Sequence, residues 1–116
     1  RLERIELLDD EKFARLWVRS RIRFKPRSSW LIERELKDKG VDADLARSIL
    51  EEEYPEEDEE EAARQLAFRR AKYYRKDPPK TARRKLFGYL ARRGFSAEII
   101  RKSVAEALSR FMDKSG

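Results

Sequence analysis

The stretch Leu36-Lys37-Asp38-Lys39-Gly40-Val41-Asp42-Ala43-Asp44-Leu45 returns as Leu90-Ala91-Arg92-Arg93-Gly94-Phe95-Ser96-Ala97-Glu98-Ile99, with apolar and glycine positions matched at a constant offset of 54. Ile32 and Leu50 match Leu86 and Val104 at the same offset. In both copies a helical apolar pattern runs into a glycine, the residue that accepts positive φ at a helix C′ position, and a second helical pattern follows. A helix pair joined by a short glycine turn is therefore written twice.

Working outward from the first copy, Ser28 or Ser29 can cap a helix whose inner face is Leu31, Ile32, Glu35 and Leu36. Asp42 caps the next helix, which presents Leu45, Ala46, Ile49 and Leu50 and runs out near Tyr54 and Pro55. Upstream, Phe13, Leu16, Trp17 and Phe24, flanked by Ala14 and Val18, recur with helical period and predict a first helix that Pro26 ends. Asp9 is its expected N-cap, with Leu8 and Phe13 spaced as a hydrophobic staple. Leu16 and Arg19 line up with Leu66 and Arg69 at an offset of 50, so this helix recurs too, and about four extra residues near Tyr74 to Pro79 absorb the difference.

The expectation is an all-α chain of tandem three-helix repeats in an elongated, curved array. One repeat covers residues 9–53 and the second residues 54–116, the latter with helices near 57–75, 79–93 and 96–112. Leu2, Ile5 and Leu8, at i, i+3 and i+6, read residues 1–8 as the tail of a preceding repeat. Trp17 and Trp30, on or beside the apolar stripes, are expected to anchor the core, the other reading being a protein-docking surface.

Composition narrows the function. The 116 residues contain neither Cys nor His. Disulfides, thiol nucleophiles, the usual zinc sets and imidazole proton relays are thereby excluded. No nucleotide-binding glycine loop and no carboxylate pair in an apolar setting occurs, so no enzyme, cofactor or metal is expected. No apolar run approaches membrane-spanning length, and a cytoplasmic, monomeric protein without membrane contact is expected.

Charge is unevenly distributed. Residues 51–62 hold nine acids and no base, whereas residues 63–116 hold 16 bases against four acids within a net charge of +6. The acids after Pro55 open a helix that ends in Arg69, Arg70, Lys72, Arg75 and Lys76, the polarity the helix dipole favours; docking of a basic partner is the other reading. The helix from Pro79 carries Lys80, Arg83, Arg84 and Lys85 in its first turns and Arg92 and Arg93 in its last. Lys80 and Arg84 share a face, and Leu86, Phe87 and Leu90 make the apolar side. Arginine forks suit phosphate and carboxylate oxygens, so these six residues are the candidate binding surface; the same charges would also solvate a helix. Tyr73, Tyr74 and Tyr89 lie in this region and read as packing residues in preference to base-stacking ones. Groove reading by a helix-turn-helix is disfavoured, because the helices after Gly40 and Gly94 open with Asp42-Ala43-Asp44 and Ser96-Ala97-Glu98.

Leu8-Asp9-Asp10-Glu11-Lys12-Phe13-Ala14 with Arg19 and Arg21, Glu35-Leu36-Lys37-Asp38-Lys39-Gly40-Val41, and Ala82-Arg83-Arg84-Lys85-Leu86 followed by Tyr89-Leu90-Ala91-Arg92-Arg93-Gly94-Phe95 together resemble the RecX family, bacterial regulators of the RecA recombinase. The resemblance covers most of the chain from Leu8 to Leu108. Members resemble tandem three-helix repeats, usually three, of which two complete ones stand here. The resemblance implies a non-enzymatic inhibitor that binds RecA and its filament on single-stranded DNA without sequence specificity, modulating ATP hydrolysis and strand exchange. The alternative is a general nucleic-acid-binding helical module that contacts phosphates without a specific protein partner.

Overall fold

A computed structural model describes the backbone of residues 2–115 and the side chains of residues 10–110. The helices are α1 (Leu2–Phe24), α2 (Ser29–Asp38), α3 (Ala43–Glu53), α4 (Glu56–Ala71), α5 (Pro79–Arg92) and α6 (Ala97–Ser115), with a 3₁₀ turn over Lys72–Tyr74. No strand occurs among the described residues. The molecule is elongated, with extents of 65 × 21 × 19 Å.

The repeat in the sequence is a repeat in space. Helices α1 to α3 enclose one core, containing Val18, Ile32, Leu36, Val41, Ala46 and Leu50. Helices α4 to α6 enclose a second, in which Leu86, Leu90, Phe95, Ile100 and Val104 take the positions of the last five at the offset of 54. Both glycine turns have the same hydrogen bonding. Gly40 (φ +91°) and Gly94 (φ +84°) stand at C′. The Val41 amide donates to the Leu36 carbonyl at 2.9 Å and the Gly40 amide to Lys37 at 2.9 Å, while Phe95 and Gly94 donate to Leu90 and Ala91 at 3.4 and 3.0 Å. These are the paired bonds of a Schellman turn, which satisfy carbonyls left open at the helix end. Of the two serines ahead of α2, Ser28 is the cap, its Oγ accepting from the Leu31 amide at 3.0 Å. The Asp42 carboxylate accepts from the Asp44 and Leu45 amides at 3.1 and 3.3 Å.

Helix α1 departs from expectation in three respects. It runs through Asp9 without a break, so no helix starts there; residues 2–8 contain neither Pro nor Gly to stop it. The Leu8 to Phe13 staple and the side chains of Leu2, Ile5 and Leu8 lie outside the described residues. Second, its buried face is Ala14 and Val18, while Leu16 and Phe24 are 67% and 69% exposed and Phe13 is also exposed. Small residues let α1 approach α2 and α3 closely, and the larger apolar side chains one helical step away are left outside. Third, Leu66 is buried where Leu16 is not, and burial pairs Ala14 and Val18 with Ala63 and Ala67 at an offset of 49 instead of 50. A one-residue shift rotates a helix by about 100°, enough to exchange its faces.

Trp17 is half-buried against the first core, and its indole N–H donates to Glu35 at 2.9 Å. Trp30, expected in the core, is 56% exposed with the Arg34 guanidinium 4.9 Å over its ring. It sits in the first turn of α2, directed away from the face that carries Ile32 and Leu36.

The two units meet at the turn before α2. The buried Ser28 donates its amide to the Arg93 carbonyl at 2.9 Å and the Ser29 amide donates to Glu59 at 2.9 Å, while Tyr54, buried in the first core, donates its hydroxyl to the Arg27 carbonyl of the same turn at 2.8 Å. Burial, reinforced by the charges of Glu59 and Asp58, raises the Tyr54 hydroxyl pKa and keeps it a donor.

Candidate nucleic-acid interface

Four members of the acid run, Glu52, Glu53, Glu59 and Glu61, make structural contacts. Glu53 accepts from Arg15 at 3.2 Å and from Arg19 at 2.8 and 2.9 Å, and Glu52 pairs with Arg15 at 2.9 Å, tying α3 to α1. Hydrogen bonds from Arg19 and Arg15 hold the Glu53 carboxyl below the usual carboxylate range. Arg64 of α4 reaches Glu61 and, at 4.0 Å, Glu106 of α6. Glu35 is the polar centre of the first unit. Burial opposes its ionisation, but hydrogen bonds from Trp17 and Arg21 and the charges of Arg27 and Arg21 outweigh it and lower its pKa. Helix α4 begins with Glu56, Glu57, Asp58 and Glu59 and ends with Arg69 and Arg70, as its dipole favours.

Helix α5 ends in a base as well but differs at its start. Its first turn contains no acid, Pro78 offers no side-chain cap, and Lys80 stands beside the positive end of the dipole. An uncapped, basic helix start carries strong positive potential that an external anion relieves. Leu86 and Leu90 are buried against the second core, so the opposite side of α5 faces solvent.

The six candidate residues separate into distinct groups. Lys80, Arg84 and Arg92 lie on the exposed i+4 row that passes through Gly88. The Arg92 guanidinium is laid back over Gly88, where an added Cβ would come within 3.2 Å of it. Arg83 is exposed on the neighbouring flank beside the partly exposed Phe87. No acidic side chain among the described residues pairs with Lys80, Arg83, Arg84 or Arg92. Lys85, though exposed, bonds Asp77 at 2.8 Å and lies 5.4 Å over the Tyr74 ring. Arg93 is partly buried, with its guanidinium 4.0 Å over Tyr89. The structure thus brings Lys80, Arg84 and Arg92 together with Arg83 beside them, and commits Lys85 and Arg93 to intramolecular contacts.

Residues 69–93 hold eleven bases and the single acid Asp77, which Lys85 occupies. Lys72, Arg75 and Lys76 extend the exposed basic surface and were not among the sequence candidates. The signal for them was present: no acid stands three or four residues from Lys72, Arg75 or Lys76, whereas Arg15 and Arg64 have Glu11 and Glu61 at those spacings. Tyr74 and Tyr89 pack against the second core as expected. Tyr73 does not; it is 76% exposed. No helix among the described residues is long and apolar enough to cross a membrane.

The family profile described as RecX, second three-helix domain, matches residues 9–50, and that described as RecX, third three-helix domain, matches residues 56–104. The chain is 40% identical to Regulatory protein RecX of Corynebacterium efficiens over 112 residues, covering 92% of this chain and 53% of the relative. It is 36% identical to Regulatory protein RecX of Prosthecochloris aestuarii over 109 residues, covering 94% of this chain and 69% of the relative. The crystal structure of RecX from Lactobacillus salivarius superposes with a TM-score of 0.75 at 26% identity, over 88% of this chain and 69% of that one. The chain thus spans little more than half the length of the Corynebacterium relative.

Proposed function

Because this chain belongs to the RecX family, we propose that it is a non-enzymatic regulator that engages the RecA recombinase and its filament on single-stranded DNA, modulating ATP hydrolysis and strand exchange. The observation that carries the nucleic-acid half of this reading is the exposed row of Lys80, Arg84 and Arg92, with Arg83 beside it. These cations lack acidic partners among the described residues in a chain where Arg15, Arg19, Arg21, Arg27 and Arg64 are all ion-paired. Unneutralised arginines and lysines on one face of a helix suit phosphate oxygens at regular spacing and carry no sequence preference. Relatives named as regulatory proteins support regulation in place of catalysis. The 65 Å array exposes Leu16, Phe24 and Trp30, apolar side chains open to contact with a protein surface.

RecA ATP hydrolysis on single-stranded DNA, with this chain titrated from far below stoichiometric amounts beside a DNA-only binding control, tests the reading. Inhibition at substoichiometric levels supports it, since coating of the DNA cannot produce that effect. Tight DNA binding with no effect on hydrolysis favours a general nucleic-acid module instead.

A further inference from the structure

Tyr73 lies on the 3₁₀ turn that follows α4, one turn after Arg70. The Arg70 guanidinium is 5.0 Å over the Tyr73 ring and 4.9 Å over Tyr89, and Arg93 is 4.0 Å over Tyr89. Arg93, Tyr89, Arg70 and Tyr73 therefore form a ladder of cation–π contacts, with Arg70 also 5.7 Å over the Tyr74 ring. The ladder begins beside the second core, where Tyr89 packs, and ends in solvent at Tyr73. Arg70 is fixed in turn by the hydrogen bond from its Nε to the Tyr74 hydroxyl at 3.1 Å.

An aromatic ring 76% exposed gains little for the fold. Its hydroxyl makes no hydrogen bond among the described residues. The arrangement holds one face of the ring against Arg70 and so reduces the freedom it would lose on stacking against a ligand. Its neighbours along the chain, Lys72, Arg75 and Lys76, are exposed and without acidic partners among the described residues. An exposed ring among unpaired cations is the combination that binds single-stranded nucleic acid, in which the ring stacks on a base and the cations follow the backbone. In a duplex each base is already stacked between its neighbours, so the ring gains nothing there.

We propose that Tyr73 is a stacking platform for an unpaired base of single-stranded DNA and that it gives this chain a preference for single strands over duplex. The inference rests on the reading of the basic surface as a DNA contact and adds the element that selects the form of DNA. Phosphate contacts from the α5 row attract single strand and duplex alike.

Binding of an oligothymidylate strand and of a duplex of equal length, measured at several salt concentrations for the unaltered chain, Tyr73→Ala and Tyr73→Phe, tests it. Tyr73→Ala should weaken single-strand binding about tenfold, with the salt slope unchanged and duplex binding within about twofold, whereas Tyr73→Phe should bind as the unaltered chain does. Retained circular dichroism and thermal midpoint would show that both variants fold. Unchanged single-strand affinity in Tyr73→Ala, or equal losses on both forms, overturns the inference and leaves the proposed function standing. Failure of the unaltered chain to bind either DNA overturns both the inference and the nucleic-acid half of the proposed function.

Discussion

Gly94 of the second unit stands against Ser28 of the first so closely that a Cβ on Gly94 would lie 2.4 Å from the Ser28 Oγ. The same glycine terminates α5 at a φ of +84°. Its equivalent, Gly40, has a φ of +91° but nothing within 4 Å of its missing Cβ. One repeated glycine therefore has a single task in the first unit and two in the second, where it also lets the units dock.

Gly40→Ala should cost about 1 kcal/mol, the strain of a left-handed non-glycine residue. Gly94→Ala should cost that and about 1–3 kcal/mol more, since Ser28 is buried and hydrogen-bonded and cannot move aside without breaking the cap of α2. Urea unfolding of the two variants side by side checks the difference; equal losses would refute the close docking.

Glu35→Gln should destabilise the chain by about 1–3 kcal/mol at neutral pH, because Arg21 and Arg27 lose their carboxylate partner in a half-buried setting. The native pKa of Glu35 is lowered, so its contribution is complete above the ordinary glutamate value of about 4.3 and is lost as pH falls through the lowered native value. The stability gap between the unaltered chain and Glu35→Gln should accordingly narrow on acidification from about pH 5 downward. Thermal midpoints across that pH series give the answer.

Replacing Lys80, Arg84 and Arg92 together with Ala should weaken single-stranded DNA binding and lower the slope of log affinity against log salt by about 2, near 0.7 for each phosphate that is no longer neutralised. Arg93→Ala should behave differently. Its guanidinium stacks on Tyr89, so the loss should appear as about 1 kcal/mol of stability with the salt slope retained. Salt titrations of both variants, each paired with a melt, separate the two roles.

Val18→Ala should cost about 1–3 kcal/mol, whereas Leu16→Ser and Phe24→Ser should each leave the stability of this chain within about 0.5 kcal/mol. Chemical unfolding of the three variants reads the orientation of α1 directly. A large loss from Leu16→Ser would mean that the apolar stripe faces the core after all.

The helix pairs were legible because their signals are local. A Schellman glycine, a capping Ser28 or Asp42 and apolar residues at helical spacing act within a few residues of one another, and the offset of 54 carried them from one unit to the next. The six candidate cations were also legible as a basic stretch. Their division was not, because pairing of Lys85 with Asp77 and of Arg93 with Tyr89 depends on how side chains fold back across turns.

By itself, then, the sequence determined an all-helical repeat, the places where its helix pairs turn, and a basic second unit. Which face of α1 turns inward was decided only in the tertiary structure. Phe13, Leu16, Trp17 and Phe24 form the more apolar stripe, yet Ala14 and Val18 are buried, since close approach to α2 and α3 depends on side-chain size as well as on polarity. The exposure of Trp30 and Tyr73 was decided there too, because an aromatic residue is buried only if a neighbouring helix arrives to cover it.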